Sequence, residues 1–136
     1  MKEKAFVDTN ILVYLYPEDE VEKRDKSRSI FGTYECITST QALNELSNVM
    51  IKNFKVNPFE VSAAVDEIAE NCQVTMVGLE TIKSALDISE RYKYSYYDSL
   101  IISSALENGC KLLLTEDMSD KQNIESNLTI KNIYRE

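Results

Sequence analysis

The chain has 136 residues, 43% of them apolar, and carries 23 acidic against 15 basic side chains, for a formal charge of -8. That length can bury a sizeable core as one domain, expected to span residues 1–136, and only three glycines and two prolines argue for long helices over a turn-rich β sandwich. No apolar run reaches the ~20 residues of a membrane span, and the start, Met1-Lys2-Glu3-Lys4-Ala5-Phe6-Val7-Asp8, lacks the apolar stretch of a signal peptide, so the expected compartment is cytoplasmic with no membrane partner.

Lys4 to Val7 reads as a short strand, followed by a helical turn over Ile11 to Leu15 that Pro17 ends. The acidic stretch Glu18, Asp19, Glu20 and Glu22 opens a helix to about Phe31, with Val21, Ile30 and Phe31 expected to face inward. Glu35 to Thr38 is a second strand, and Ser39 or Thr40 caps a helix whose apolar positions are Ala42, Leu43, Leu46, Val49, Met50 and Phe54. Asn57-Pro58 starts another helix, with Val61, Ala64, Val65, Ile68 and Ala69 as its stripe. Val74, Met76 and Val77 suggest a third strand, and a helix follows from about Glu80 to Tyr92 through Ile82, Ala85, Leu86 and Ile88. A tyrosine-rich connector leads to a helix from about Tyr96 to Asn108, closed by Gly109. Lys111 to Thr115 is a strand apolar on both faces, and Leu128 to Ile130 suits an edge strand. Alternating strands and helices predict an α/β fold: three layers, α/β/α, around a mostly parallel sheet of four or five strands.

The chain has no histidine, which removes imidazole bases, Ser-His and Cys-His pairs and Cys/His zinc sites. Cys36, Cys72 and Cys110 form no CxxC pair and read as buried thiols. Carboxylates or lysines are left to carry any chemistry. Ligands of parallel sheets bind beyond the carboxyl ends of the strands, and Asp8 directly follows Phe6-Val7 while Asp117 follows the 112–115 strand after one residue. Either acid alone also suits an ordinary strand-ending turn. Asp98 shares a helical arc with Ile101, Ile102 and Ala105, although Ser95-x-x-Asp98 also reads as a capping box. Glu45 lies at the edge of its apolar arc, where a boundary glutamate would look the same.

Together, Phe6-Val7-Asp8-Thr9-Asn10-Ile11-Leu12, Ala42-Leu43-Asn44-Glu45-Leu46, Tyr96-Tyr97-Asp98-Ser99-Leu100-Ile101 and Leu113-Leu114-Thr115-Glu116-Asp117-Met118 resemble, in order and spacing, the four acidic motifs of PIN-domain ribonucleases. The small single-domain form resembles the VapC-type toxins of toxin-antitoxin pairs. The resemblance implies that Asp8, Glu45, Asp98 and Asp117 are catalytic and bind metal, with Thr9, Asn10 and Thr115 as supporting polar residues. Glu116 and Asp120 are candidates only for outer oxygens. It further implies an Mg²⁺- or Mn²⁺-dependent endoribonuclease, a small antitoxin partner and a homodimer.

Oxygen-only ligands suit these hard cations, which would relieve the repulsion among converging carboxylates and activate a water for attack on phosphorus. The acidic balance is unusual for an RNA binder. Arg91, Tyr92, Lys93 and Tyr94 are the candidate RNA contacts, by phosphate pairing and base stacking, although the tyrosines also suit simple packing over helix ends. A phosphatase or phosphotransferase with an aspartyl nucleophile should carry Asp-x-Asp, and Asn10 stands where its second acid belongs. A PIN-like RNA- or protein-binding module with an unused site is the non-enzymatic alternative.

Overall fold

Ala5, Phe6 and Val7 are fully buried in β1 (Lys4–Val7), as a strand covered on both faces requires. The computed structural model describes residues 1–135. After β1 come α1 (Thr9–Val13), α2 (Val21–Thr33), β2 (Glu35–Ser39), α3 (Thr40–Lys52), α4 (Pro58–Asn71), β3 (Gln73–Thr75), α5 (Leu79–Tyr92) and α6 (Tyr96–Glu107). The chain then forms β4 (Leu112–Leu114), β5 (Asn123–Ile124) and β6 (Leu128–Lys131), and ends on a 3-10 turn, Ile133–Arg135.

The strands lie in the order β3-β2-β1-β4-β6-β5, all pairs parallel except β5 with β6. From β1 the chain steps one way through β2 to β3, then crosses to β4 on the other side of β1. Right-handed crossovers therefore put α1 to α4 on one face and α5 and α6 on the other, giving the expected three layers. The order reverses between β1 and β4, and the crevice beyond their carboxyl ends is where such sheets bind ligands.

The sheet has six strands, where the sequence suggests four or five. β5 is two residues long, too short for any periodicity to reveal it. β3 also lies earlier than its apolar alternation suggests: the chain leaves the sheet at Met76, which is 78% exposed. Glu18, Asp19 and Glu20 precede α2, and Val21 at its start is exposed. Phe54 lies beyond the end of α3 and is half exposed, and Ala69 and Leu86 fall outside the narrow buried stripes of α4 and α5.

The helix ends follow local chemistry. Ser39, and not Thr40, caps α3 by accepting the Ala42 N–H at 3.2 Å, and Asn57 caps α4 ahead of Pro58. At the end of α6, Gly109 at φ +69 donates to the Leu106 carbonyl while Cys110 donates to that of Ala105, the paired bonds of a Schellman stop. That stop delivers the chain into β4 beside β1.

Candidate active site

Asp8 occupies the first position beyond β1 and caps α1, so the end of the central strand fixes its backbone. Its own N–H donates to the Leu114 carbonyl at 3.0 Å, extending the β1–β4 pairing by one residue. The Thr9 N–H donates to Oδ1 at 2.7 Å and the Thr115 hydroxyl to Oδ2 at 2.8 Å. Only 5% of the residue is exposed. Burial lifts its carboxyl from 3.8 to about 7; the Thr115 and Thr9 bonds oppose that rise, and the Asp98 and Glu45 charges add to it.

Asn10, one helical step on, spans the crevice. Its amide nitrogen donates to Thr115 Oγ1 and to Asp117 Oδ2, both at 3.1 Å, and more distantly to Asp8, while its carbonyl accepts the Glu116 N–H at 3.1 Å. One asparagine thus ties the loop after β1 to the loop after β4. The Thr115 hydroxyl donates to Asp8 and accepts from Asn10 and from the Asp117 N–H, which uses its full capacity.

Glu45 enters from α3. Thr9 donates its hydroxyl to Oε2 at 2.6 Å, and Gln41, one turn earlier on the same helix, donates to Oε1 at 3.1 Å. Asp98 stands in the first turn of α6, which starts where Ser95 accepts the Asp98 N–H at 3.2 Å. Only the Ser95 half of the expected capping box forms, which leaves the Asp98 carboxylate off the backbone. Partial burial raises the Asp98 carboxyl, and the charges of Asp117 and Glu45 raise it further. Four side chains distant in sequence are thus coupled at one rim of the sheet.

All four are oxygen donors, and the hydrogen-bond partners of Asp8 are all neutral. Among the described residues no three acids or thiols are already drawn into an ion-sized cluster. Mg²⁺ does not require one, because it keeps several waters and takes one or two carboxylates together with a substrate phosphate. The donor set therefore fits a hard divalent cation as an open site.

A family model, the PIN domain, matches residues 5–119, which includes all four acids. The chain belongs to the PIN-domain family. A curated relative, Ribonuclease VapC1 of Aquifex aeolicus, is 24% identical over 123 residues, covering 86% of this chain and 83% of that protein. Among solved structures, VapC20 of Mycobacterium tuberculosis, a sarcin-ricin loop cleaving toxin, is similar at TM-score 0.65 and 17% identity, with 80% of this chain and 86% of that one covered. A toxin-antitoxin complex from Klebsiella pneumoniae matches at TM-score 0.68 and 17% identity, covering 96% and 98%. At such identities these structures speak for the fold, a PIN fold of the kind VapC toxins have.

Of the four candidate RNA contacts, three make side-chain contacts within this PIN domain and Lys93 points to solvent; the Tyr94 hydroxyl accepts the Ser119 N–H at 3.1 Å, on the loop that carries Asp117. Arg91 pairs with Glu125 and, at 2.9 Å, with Asp87. The Tyr92 hydroxyl donates to Glu125 at 2.9 Å and that of Tyr94 to Gln122 at 2.5 Å, so both brace the β5–β6 hairpin. Lys93, in the left-handed conformation that ends α5, is exposed beside Glu90. Glu116 turns its carboxylate to Lys23 at 2.5 Å, and Asp120 accepts the Asn132 N–H at 2.8 Å, so neither joins the acids. Gln41 is the site residue that the sequence reading missed; its i, i+4 spacing to Glu45 on one helix face is the signal that could have found it.

Proposed function

We propose that this PIN domain is a divalent-metal-dependent endoribonuclease acting as the toxin of a toxin-antitoxin pair. The observation that carries the reading is geometric: at the switch point of the sheet Thr9 bonds both Asp8 and Glu45, and Asn10 bonds both Asp8 and Asp117, with Asp98 at the start of α6 adding its charge to the burial that raises the Asp8 carboxyl. Mg²⁺ or Mn²⁺ held there would stabilise charge on the phosphodiester and lower the pKa of an attacking water. Asp8, Glu45, Asp98 and Asp117 are the residues that would hold the ion. Thr9 and Gln41 aim the Glu45 carboxylate from two sides. Asn10 and Thr115 keep the Asp8 and Asp117 oxygens facing one crevice, so that neither has to be reordered when RNA arrives.

The name of the Aquifex relative supports RNA as the substrate, and the Klebsiella complex supports a small antitoxin protein as partner. A homodimer and a cytoplasmic site of action complete the proposal. The test is incubation of purified protein and its Asp98→Asn variant with labelled structured RNAs, with and without Mg²⁺ or Mn²⁺. Metal-dependent cutting by the wild type alone is the expected result. RNA binding without cutting under every condition would leave the domain a binding module.

A further inference from the structure

Far from the acids, at the opposite ends of the strands, two cysteines become neighbours only through the fold. β2 and β3 run parallel with Ile37 opposite Gln73, Thr38 opposite Val74 and Ser39 opposite Thr75. Carried back one residue, that register sets Cys36 beside Cys72. Adjacent strands lie about 4.7–4.9 Å apart, inside the Cα separations that a disulfide spans. Both residues are about 95% buried, yet both line one open surface cavity of about 620 Å³ with Lys2, Glu35 and Gln73.

We propose that Cys36 and Cys72 form a modification site, a thiol pair that a small peroxide converts to an intramolecular disulfide.

The Cys36 thiol donates to the Ile30 and Tyr34 carbonyls at 3.6 and 3.7 Å; its interaction with Cys72 and the Lys2 ammonium lower the Cys36 thiol against its burial, while Cys72 is raised. Lys2 lines the same cavity next to the strand that carries Cys36, so Cys36 is assigned as the attacking sulfur and Cys72 as the resolving one. The Cys36 thiolate attacks one oxygen of hydrogen peroxide. An S–O bond forms, the O–O bond breaks, and the departing hydroxide takes a proton to become water. Cys72 then gives up its proton and attacks the Cys36 sulfenic acid. The S–S bond forms, the S–O bond breaks, and a second water leaves. Two thiols lose two electrons and one peroxide gains them. Cys110 is also buried, and its thiol is raised to about 11 chiefly by that burial.

The test treats the folded wild-type protein with hydrogen peroxide and counts free thiols after denaturation. The count should fall from three to one, with a peptide map linking Cys36 to Cys72, a mass loss of two hydrogens, and full reversal by dithiothreitol. In Cys72→Ser the reaction should stop at a Cys36 sulfenic acid, trapped by dimedone. Three thiols still free, a link through Cys110 or between molecules, or stepwise oxygenation of Cys36 with no link would overturn the proposal. So would dimedone labelling at Cys110 in place of Cys36.

Discussion

Asp8 and Glu125 are both carboxylates that accept several hydrogen bonds, yet burial beside other acids lifts Asp8 to about 7 while Arg91 and Tyr92 hold Glu125 down at about 2. Donors as good as the Thr9 N–H and the Thr115 hydroxyl do not offset the loss of water around a buried charge. Glu125 keeps its water and has a guanidinium beside it as well, where Arg91 also grips Asp87. The chain supplies its own cation at one corner, whereas Asp8 and its coupled acids are left to a cation from outside. In this comparison, uncompensated charge marks the proposed cation site and compensated charge the scaffold.

The largest expected effect breaks the acid rim. Asp98→Asn or Asp8→Asn should lower RNA cutting on the order of a hundredfold to several thousandfold, the equivalent of ~3–5 kcal/mol of transition-state stabilisation, with the fold retained by circular dichroism. Undiminished cutting rates would remove those positions from the site.

The same substitution sharpens the comparison in stability. Because the folded-state value of Asp8 is raised from 3.8 to about 7, the folded protein keeps a proton that the unfolded chain releases between those values. Stability from this group is complete below pH 4 and is lost as pH rises through 7. A side-chain amide carries no charge to desolvate, so whatever Asp8→Asn costs in lost hydrogen bonds is independent of pH, and its stability relative to wild type should improve by roughly 2–4 kcal/mol between pH 4 and pH 8. Thermal melts at the two pH values read the difference, and a gap between the two proteins that does not change with pH would refute it.

A smaller gain should come from the cation itself. At pH 8, Mg²⁺ at tenfold over its dissociation constant should stabilise wild type by about 1.4 kcal/mol, and should do much less for Asp8→Asn. Equal effects on both proteins would place the ion elsewhere. The smallest change belongs to the compensated corner. Arg91→Ala should lower Tm by only ~1–3 °C, because exposed ion pairs contribute little, and should leave cutting unchanged. A weaker, less salt-dependent RNA interaction in that variant would make Arg91 a phosphate contact after all.

Asp8 and Asp117 were legible because each follows a short apolar strand, and the strand order then brings their loops together. Asp98 was legible as an acid on an apolar arc. Glu45 was visible only through the resemblance, since on its helical wheel nothing separates it from a boundary residue. The hub made by Asn10 and Thr115 depends on the β1–β4 register, which periodicity does not encode. The Cys36–Cys72 neighbourhood depends in the same way on the register of β2 with β3. The basic and tyrosine-rich 91–94 segment was ambiguous because its partners, Gln122 and Glu125, lie on a hairpin whose first strand is too short to read.

The most direct measurement is a carbon-13 NMR titration of the Asp8 side-chain carboxyl, with and without Mg²⁺. A midpoint near 7 in the absence of cation, falling on addition of Mg²⁺, is the expected result. A midpoint near the ordinary 3.8 that ignores Mg²⁺ would contradict the claim that this rim is a charge cluster awaiting a cation.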